Sequence, residues 1–142
     1  MAPGGAVDRK RLAEAVLGDD DAVRRLEAIV HPLVRDEERS FLAAAAAVGA
    51  PVAVIEIPLL LETGGDNRCH AVVVVTAKPE TLRQRALTRP GMSEERLNAV
   101  LARQMPDAEK RRRAHFLVVT DHGLDAAERQ VAAIIRALSA WL

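Results

Sequence analysis

The hydrophobic pattern of the chain is most distinctive at residues 51–63, PVAVIEIPLLLET. The β-branched residues between Val52 and Ile57 predict a buried strand, and Pro58 ends it before a leucine-rich loop. Glu56 interrupts the apolar run, and a buried carboxylate requires a cationic or hydrogen-bonding partner. Because ligands of open α/β sheets bind beyond the carboxyl ends of the strands, this loop is predicted to lie at a binding site.

Two further apolar segments show no alternation of polar and apolar residues. They are residues 71–77, AVVVVTA, and residues 116–120, FLVVT. Continuous apolar strands are typical of parallel sheets that are covered on both faces. Together with the segment that ends at Ile57, they predict three strands of one parallel sheet.

Helical periodicity is expected on both sides of the first strand. Asp8 is a good cap for a helix over residues 9–17, and Asp20 or Asp21 can cap the next one. Pro32 is expected to kink or end that second helix near His31. The remaining helical stretch covers residues 34–48, with Gly49 as its end.

The second half of the chain carries clearer helix boundaries. Pro79 begins a helix in the way that proline at a first helical position does, and Ser93 is expected to cap the next one. The polar segment 63–70 can hold one helical turn. The predicted helices here are 78–88, 94–104, 106–113 and 124–142. Strands alternating with helices predict an α/β fold with a parallel sheet.

Composition narrows the possible functions. The 142 residues amount to one domain, with zero formal net charge and 2% aromatic residues, which argues against a nucleic-acid partner. Cys69 is the only cysteine, so an internal disulfide is excluded and a reducing compartment is expected. The most apolar stretch, residues 41–55, is broken by Gly49 and Pro51, and we expect no membrane partner. These features predict a cytoplasmic protein and leave its oligomeric state open.

Positive charge is concentrated in residues 83–113. This segment has nine Arg or Lys and four Asp or Glu residues, a net charge of +5. Phosphoryl transfer depends on neutralising the charge of the transferred group, so a cationic segment suits a lid that closes over nucleotide phosphates. The alternative is a set of solvated helix faces, and the charge pattern alone favours this alternative.

Several of these segments carry a family resemblance. The run IEIPLLLETG, residues 55–64, resembles the PLLFE-G signature of dephospho-coenzyme A kinases, with Leu61 where the family more often has Phe. Residues 71–119 are similar to the family's fourth strand, helix, lid and fifth strand in order, and residues 7–34 also fit. The resemblance covers nearly the whole chain from about Asp8, and its specificity lies in the ordered combination of motifs.

The resemblance implies both a fold and a reaction. The fold would be a partial P-loop kinase-type parallel sheet, family strands 3, 4 and 5, with flanking helices and a helical lid. The chain would be one incomplete kinase domain, divided into a substrate-side helical segment, core strands, a helix with the lid, and a last strand with its helix (1–50, 51–77, 78–114 and 115–142). The reaction would transfer the γ-phosphoryl group of ATP to the 3′-hydroxyl of dephospho-coenzyme A (dephospho-CoA).

The resemblance also implies site residues on the ATP side. Arg85 and Arg89 lie four apart on one helical face, as in the R-x-x-x-R of related kinases, where one arginine contacts adenine and the other the phosphates. Arg103 is the nearest match to an arginine on the lid helix. The turn after the last strand resembles the adenine-contacting loop, although an ordinary strand-to-helix turn is the alternative; its residues are Thr120, Asp121, His122 and Gly123.

A second set of residues is implied on the dephospho-CoA side. They are His31, Glu56, Pro58, Leu59, Leu60 and Glu62. His31 could instead be the partner of a proline kink, and either glutamate could be a plain salt-bridge partner for an arginine. No metal-ligand spacing is visible among His70, His115 and His122, and the Mg²⁺ expected with ATP in the complete enzyme would rest on a P-loop hydroxyl.

The chain contains no G-x-x-x-x-G-K-[ST] sequence, which the resemblance would place before the first residues given. The family's first strand lies between those that correspond to Ile55 and Val73, so we expect both to lack a row of backbone partners. The 142 residues alone are therefore expected to be inactive, as a truncated reading, a misplaced start or a degenerate relative. Two alternatives stay open, a non-catalytic pseudokinase or binding module and another small-molecule P-loop kinase of the nucleoside-monophosphate type.

Overall fold

A computed structural model of the chain describes residues 6–16 and 18–140. The chain divides into two units, Met1–Ile55 and Glu56–Leu142, which are described separately.

Two helices that pack against each other form the first unit, α1 (Arg9–Val16) and α2 (Asp20–Ala47). As predicted, Asp8 caps α1, because its carboxylate accepts the backbone N–H groups of the second and third helical residues at 3.1 Å. The cap of α2 is Asp19, whose carboxylate accepts the N–H of Ala22 at 2.9 Å. The prediction that Asp20 or Asp21 caps this helix is therefore wrong, and Leu17 lies outside the described residues.

The predicted end of this helix at Pro32 is also wrong, and the alternative, a kink at that position, stays a prediction. α2 is 28 residues long and includes Pro32. A proline inside a helix removes one backbone donor and crowds the carbonyl four residues earlier. α2 nevertheless has several turns of helix on each side of Pro32, and it continues past this residue. Gly49 ends the helix as predicted, with φ +64°, and its N–H donates to the carbonyl of Ala46 at 3.0 Å.

The second unit contains a two-stranded parallel sheet of β1 (Val73–Thr76) and β2 (Phe116–Val119). Both strands were predicted, with longer limits. The strand predicted over Val52–Ile57 is wrong, because the described backbone forms no ladder there. β-branched residues favour a pleated, half-buried position, but a strand also needs a neighbour that supplies hydrogen bonds. Because β1 and β2 bond to each other, neither supplies these bonds to residues 52–57.

The two outer edges of this sheet differ. On β2, the side-chain amide of Gln130 substitutes for a neighbouring strand, accepting the N–H of Val119 and donating to its carbonyl, both at 2.9 Å. On β1, the carbonyl of Thr76 accepts the N–H of Thr120 at 2.9 Å, so the alternation of a parallel ladder directs the N–H groups of Val73 and Val75 away from β2. These two residues are 42% and 67% exposed.

Four helices and one 3₁₀ turn surround the sheet. The helices are α3 (Pro79–Leu87), α4 (Glu94–Ala102), α5 (Asp107–Arg113) and α6 (Leu124–Ser139), and the 3₁₀ turn is Gly65–Arg68. α3 begins at its proline, and Ser93 caps α4 by accepting the N–H of Arg96 at 3.3 Å, as predicted. α5 packs on β1, α6 on β2 and α3 on α4. The buried side chains of the described residues are Leu61, Val72, Thr76, Ala77, Leu97 and Val118.

No helix within the described ranges has the length and apolar character needed to span a membrane.

Candidate functional site

The leucine-rich loop, residues 58–63, folds into a tight turn at the start of the second unit. The carbonyl of Leu59 accepts both the N–H and the hydroxyl of Thr63 at 3.0 Å. Leu59 has φ +57°, the only positive value at a described non-glycine residue, and its side chain is 42% exposed. Pro58 and Glu56 are also exposed, and Leu60 is half-buried. The turn therefore presents part of its apolar surface to solvent.

Glu62, at the end of this turn, is bound within the protein. Its Oε1 accepts the backbone N–H of Met105 at 2.8 Å and lies 2.9 Å from Nζ of Lys110. The side chains of Glu62 and Lys110 are 15% and 22% exposed. Burial raises the pKa of Glu62, but the hydrogen bonds from Lys110 and Met105 outweigh it, and the pKa is lowered.

A second cation of α5 binds the same turn. Arg113 donates to the carbonyl of Leu61 at 3.2 Å and to Oδ2 of Asp66 at 2.7 Å. The hydrogen bond from Arg113 to the Asp66 carboxylate is the main reason that the pKa of Asp66 is lowered. Two points of α5 are thus attached to the leucine-rich loop and the 3₁₀ turn that follows it.

The amino-terminal end of α5 is attached to the sheet. The hydroxyl of Thr76, at the carboxyl end of β1, donates to Oδ1 of Asp107 at 2.6 Å. Thr76 is 1% exposed, and Asp107 also lies 3.7 Å from Arg111. α5 is therefore held by β1 at one end and by the loop along its length.

Arg85 of α3 reaches the turn that follows β2. Its guanidinium donates to Oγ1 of Thr120 at 2.7 Å and to the carbonyl of Thr120 at 2.9 Å. The structure thus brings together one predicted arginine and the predicted adenine-contacting loop. The two groups lie beyond the carboxyl end of β2, where ligands of parallel sheets bind.

Asp121, in the same turn, caps the start of α3. Its carboxylate accepts the backbone N–H of Lys78 at 3.0 and 3.1 Å and the hydroxyl of Thr81 at 2.8 Å. The N–H of Lys78 is the main reason that the pKa of Asp121 is lowered. The next two residues are exposed, and Gly123 precedes α6 with φ +84°.

The other two predicted arginines have no described partner. Arg89 follows α3 and Arg103 follows α4, and both are exposed. Neither guanidinium forms a hydrogen bond or ion pair with a described residue. His31 is exposed within α2, in the first unit. In the described ranges, no group of three or more His, Cys, Asp or Glu residues could hold a metal ion.

Sequence reasoning missed the residues that attach α5. Thr76, Asp107 and Arg113 carried no motif that singled them out for this role. Lys110 lies in the segment R-Q-M-P-D-A-E-K, and no local pattern connects it to Glu62, 48 positions earlier in the chain.

Comparison with known proteins places this geometry in a family. Residues 1–126 match the family model described as dephospho-CoA kinase. The chain is 57% identical over 133 residues to a dephospho-CoA kinase of Rhodopseudomonas palustris strain HaA2, covering 94% of this chain and 67% of that protein. It is 56% identical over 131 residues to one of Mesorhizobium japonicum, covering 92% and 66%. The chain therefore spans about two thirds of the length of these relatives.

A solved structure agrees with the sequence matches. The crystal structure of TT1252 from Thermus thermophilus superimposes with a TM-score of 0.74 at 37% identity, covering 95% of this chain and 69% of that one. The family model and the relatives define a kinase, a phosphotransferase, and the solved structure shares the mixed α/β fold of this chain. Within this class, the chain belongs to the dephospho-CoA kinase family.

Proposed function

We propose that this protein serves the last step of coenzyme A synthesis, in which the γ-phosphoryl group of ATP is transferred to the 3′-hydroxyl of dephospho-CoA. The observation that carries the proposal is the 57% identity to a dephospho-CoA kinase over 94% of the chain. The family match runs through both units, which supports a single kinase domain. A cytoplasmic location, expected from the single cysteine, stays a prediction.

On the ATP side, we assign different tasks to the three arginines. Arg85 braces the Thr120 turn through two hydrogen bonds, so it would shape the adenine-contacting loop, whose exposed residues His122 and Gly123 would contribute backbone groups. Arg89 and Arg103 have exposed guanidiniums without a described partner. Both are therefore available to neutralise phosphate charge, which is the main task of the protein in phosphoryl transfer.

On the dephospho-CoA side, the exposed surface of the leucine-rich loop is the best supported contact. Leu59 and Pro58 present apolar surface, which suits the hydrocarbon part of the substrate, and Glu56 and Leu60 lie beside them in sequence. His31 remains a candidate from the family resemblance alone. Mg²⁺ would accompany ATP, but the described residues do not by themselves fit a metal site.

The finer arrangement of the sheet is also a proposal. We propose that a further strand of the complete family sheet pairs with the outer edge of β1. The outward N–H groups and exposed side chains of Val73 and Val75 support it, because an unpaired apolar edge favours strand addition. A polypeptide limited to these 142 residues, which hold no G-x-x-x-x-G-K-[ST] sequence, would bind ligands without turnover. The second candidate function is a non-catalytic binding module, which would bind the same ligands without turnover.

Two assays test these proposals, one for the function and one for the role of Arg89. A coupled assay for ADP release with dephospho-CoA should show turnover for the intact protein expressed from its own gene and none for the 142 residues alone. In the intact protein, Arg89→Ala should raise the KM for ATP at least about tenfold, the loss expected when a charged contact to phosphate is removed. Arg129→Ala, an exposed arginine on α6, is the control. Absence of turnover in the intact protein would favour the binding module, and unchanged kinetics in Arg89→Ala would remove this residue from the site.

A further inference from the structure

The contacts of α5 differ from those of α4, although both belong to the segment expected to form the lid. α5 is held by Thr76, by Glu62 and by the carbonyl of Leu61. The described ion pairs and side-chain hydrogen bonds of α4 stay on α3 and the loop between them, from Glu94 to Arg83 and from Arg96 to the carbonyl of Gly91. α5 is therefore bonded to the sheet and to the leucine-rich loop. The described polar contacts of α4 reach only α3 and the loop between them.

Glu62 binds at the junction between these two parts. α4 ends at Ala102 and α5 begins at Asp107, so Met105 lies in the connection. The N–H of Met105 donates to Glu62 Oε1 at 2.8 Å, and the same oxygen accepts from Lys110. Any displacement of the leucine-rich loop would thus act directly on the connection that follows Arg103.

We propose that Glu62 and Lys110 are positioning residues that couple the leucine-rich loop to the placement of α4 and Arg103. This inference rests on the proposed function and refines it. Glu62 would act through the connection rather than as a contact of dephospho-CoA, because its side chain is only 15% exposed and Met105 and Lys110 both hold its Oε1. Binding of dephospho-CoA at the loop would instead raise the affinity for the nucleotide, and by reciprocity the nucleotide would raise the affinity for dephospho-CoA.

Calorimetric titration of the intact protein tests the coupling. The affinity for a non-hydrolysable ATP analogue is measured with and without saturating dephospho-CoA, in the wild type and in Glu62→Gln, Lys110→Met and Lys110→Arg. Glu94→Gln is the matched control, because Glu94 forms an exposed ion pair in the same unit that does not touch the loop. Glutamine keeps an oxygen acceptor for Met105, so Glu62→Gln removes the charge with little change in shape.

We expect the wild type to show a coupling of about fivefold or more. In Glu62→Gln and Lys110→Met, the factor by which one ligand raises the affinity for the other should fall close to one, while each ligand alone binds within about twofold of the wild type. Lys110→Arg and Glu94→Gln should retain the coupling of the wild type. Independent binding in the wild type, or unchanged coupling in both charge-removing variants, overturns the inference. A tenfold loss of dephospho-CoA affinity alone in Glu62→Gln also overturns it, since Glu62 would then be a ligand.

A second measurement needs no variant. Hydrogen exchange at the Met105 amide should slow when dephospho-CoA binds, because the Glu62 bond is then held closed more of the time. An unchanged exchange rate in a protein that binds dephospho-CoA overturns the inference and leaves the proposed function standing. A wild type that binds neither dephospho-CoA nor the nucleotide would instead overturn the proposed function.

Discussion

The buried hydrogen bond between Thr76 and Asp107 offers a direct test of how α5 is attached to the sheet. Thr76 is 1% exposed, and its hydroxyl lies 2.6 Å from Oδ1 of Asp107. The substitution Thr76→Val removes the hydroxyl and keeps a β-branched residue that suits a strand. The change in stability therefore reports mainly on the lost bond.

The magnitude follows from the surroundings of the two groups. A hydrogen bond to a charged group contributes about 1.5–3 kcal/mol, and the added methyl group returns at most about 0.8 kcal/mol of apolar burial. The Asp107 side chain is 44% exposed and lies 3.7 Å from Arg111, so its carboxylate is not left buried and unpaired. We therefore expect Thr76→Val to lower the free energy of unfolding by about 1–2 kcal/mol.

Urea unfolding of the intact protein at pH 7, followed by circular dichroism, measures this change. Thr76→Ser keeps the hydroxyl, and Thr88→Val removes an exposed hydroxyl that bonds only within its own helix; Thr88→Val should change stability by less than about 0.5 kcal/mol. A double-mutant cycle with Asp107→Ala should give a coupling of about 1 kcal/mol or more. A loss below about 0.5 kcal/mol in Thr76→Val, or additive effects in the cycle, would refute the reasoning.

Three further predictions concern Asp121, Gln130 and Pro32. The folded pKa of Asp121 is lowered chiefly by the N–H of Lys78, so its contribution to stability is complete above the unfolded value of about 3.8 and is lost as the pH falls through the folded value. Asp121→Asn should therefore destabilise the protein at pH 7 and flatten its acid sensitivity, and parallel stability curves from pH 7 to 2 would contradict this. Gln130→Leu should cost about 1–3 kcal/mol in urea unfolding because Val119 loses two partners, whereas an effect equal to that of the neighbouring control Arg129→Leu would count against it. Pro32→Ala should raise the free energy of unfolding by up to about 3 kcal/mol, which is measured as a higher melting temperature. An unchanged or lower melting temperature would show that Pro32 does not destabilise α2.

Sequence predicted the elements whose boundaries are set by local chemistry. Ser93 caps α4 and Asp8 caps α1 because a side-chain oxygen one turn away is enough to satisfy the free N–H groups. The apolar runs that became β1 and β2 were recognisable because consecutive β-branched residues favour strands, although Val73 and Val75 of β1 are exposed rather than covered. The strand predicted before Pro58 failed because the residues favour extension but cannot indicate whether a neighbouring strand is present.

The candidate site was predictable only in part, for the same reason. Family resemblance selected both Arg85 and the turn with Thr120, and the structure joins them. The role of Asp121 was not predictable, because its carboxylate accepts the N–H of Lys78, 43 positions earlier in the chain. Glu62 likewise needed the fold to reveal that Lys110 and the Met105 amide are its described partners.

The cationic segment 83–113 shows why a net charge is a weak indicator of phosphate binding. Two interpretations were open, a lid over phosphates and a set of solvated helix faces. Six of its nine cations bind groups of the described protein itself; they are Arg83, Arg85, Arg96, Lys110, Arg111 and Arg113. Among described residues, Arg89, Arg103 and Arg112 have no such partner. Most of the positive charge therefore holds the segment in place, and the small remainder includes two of the three arginines that the family resemblance assigns to ATP, Arg89 and Arg103.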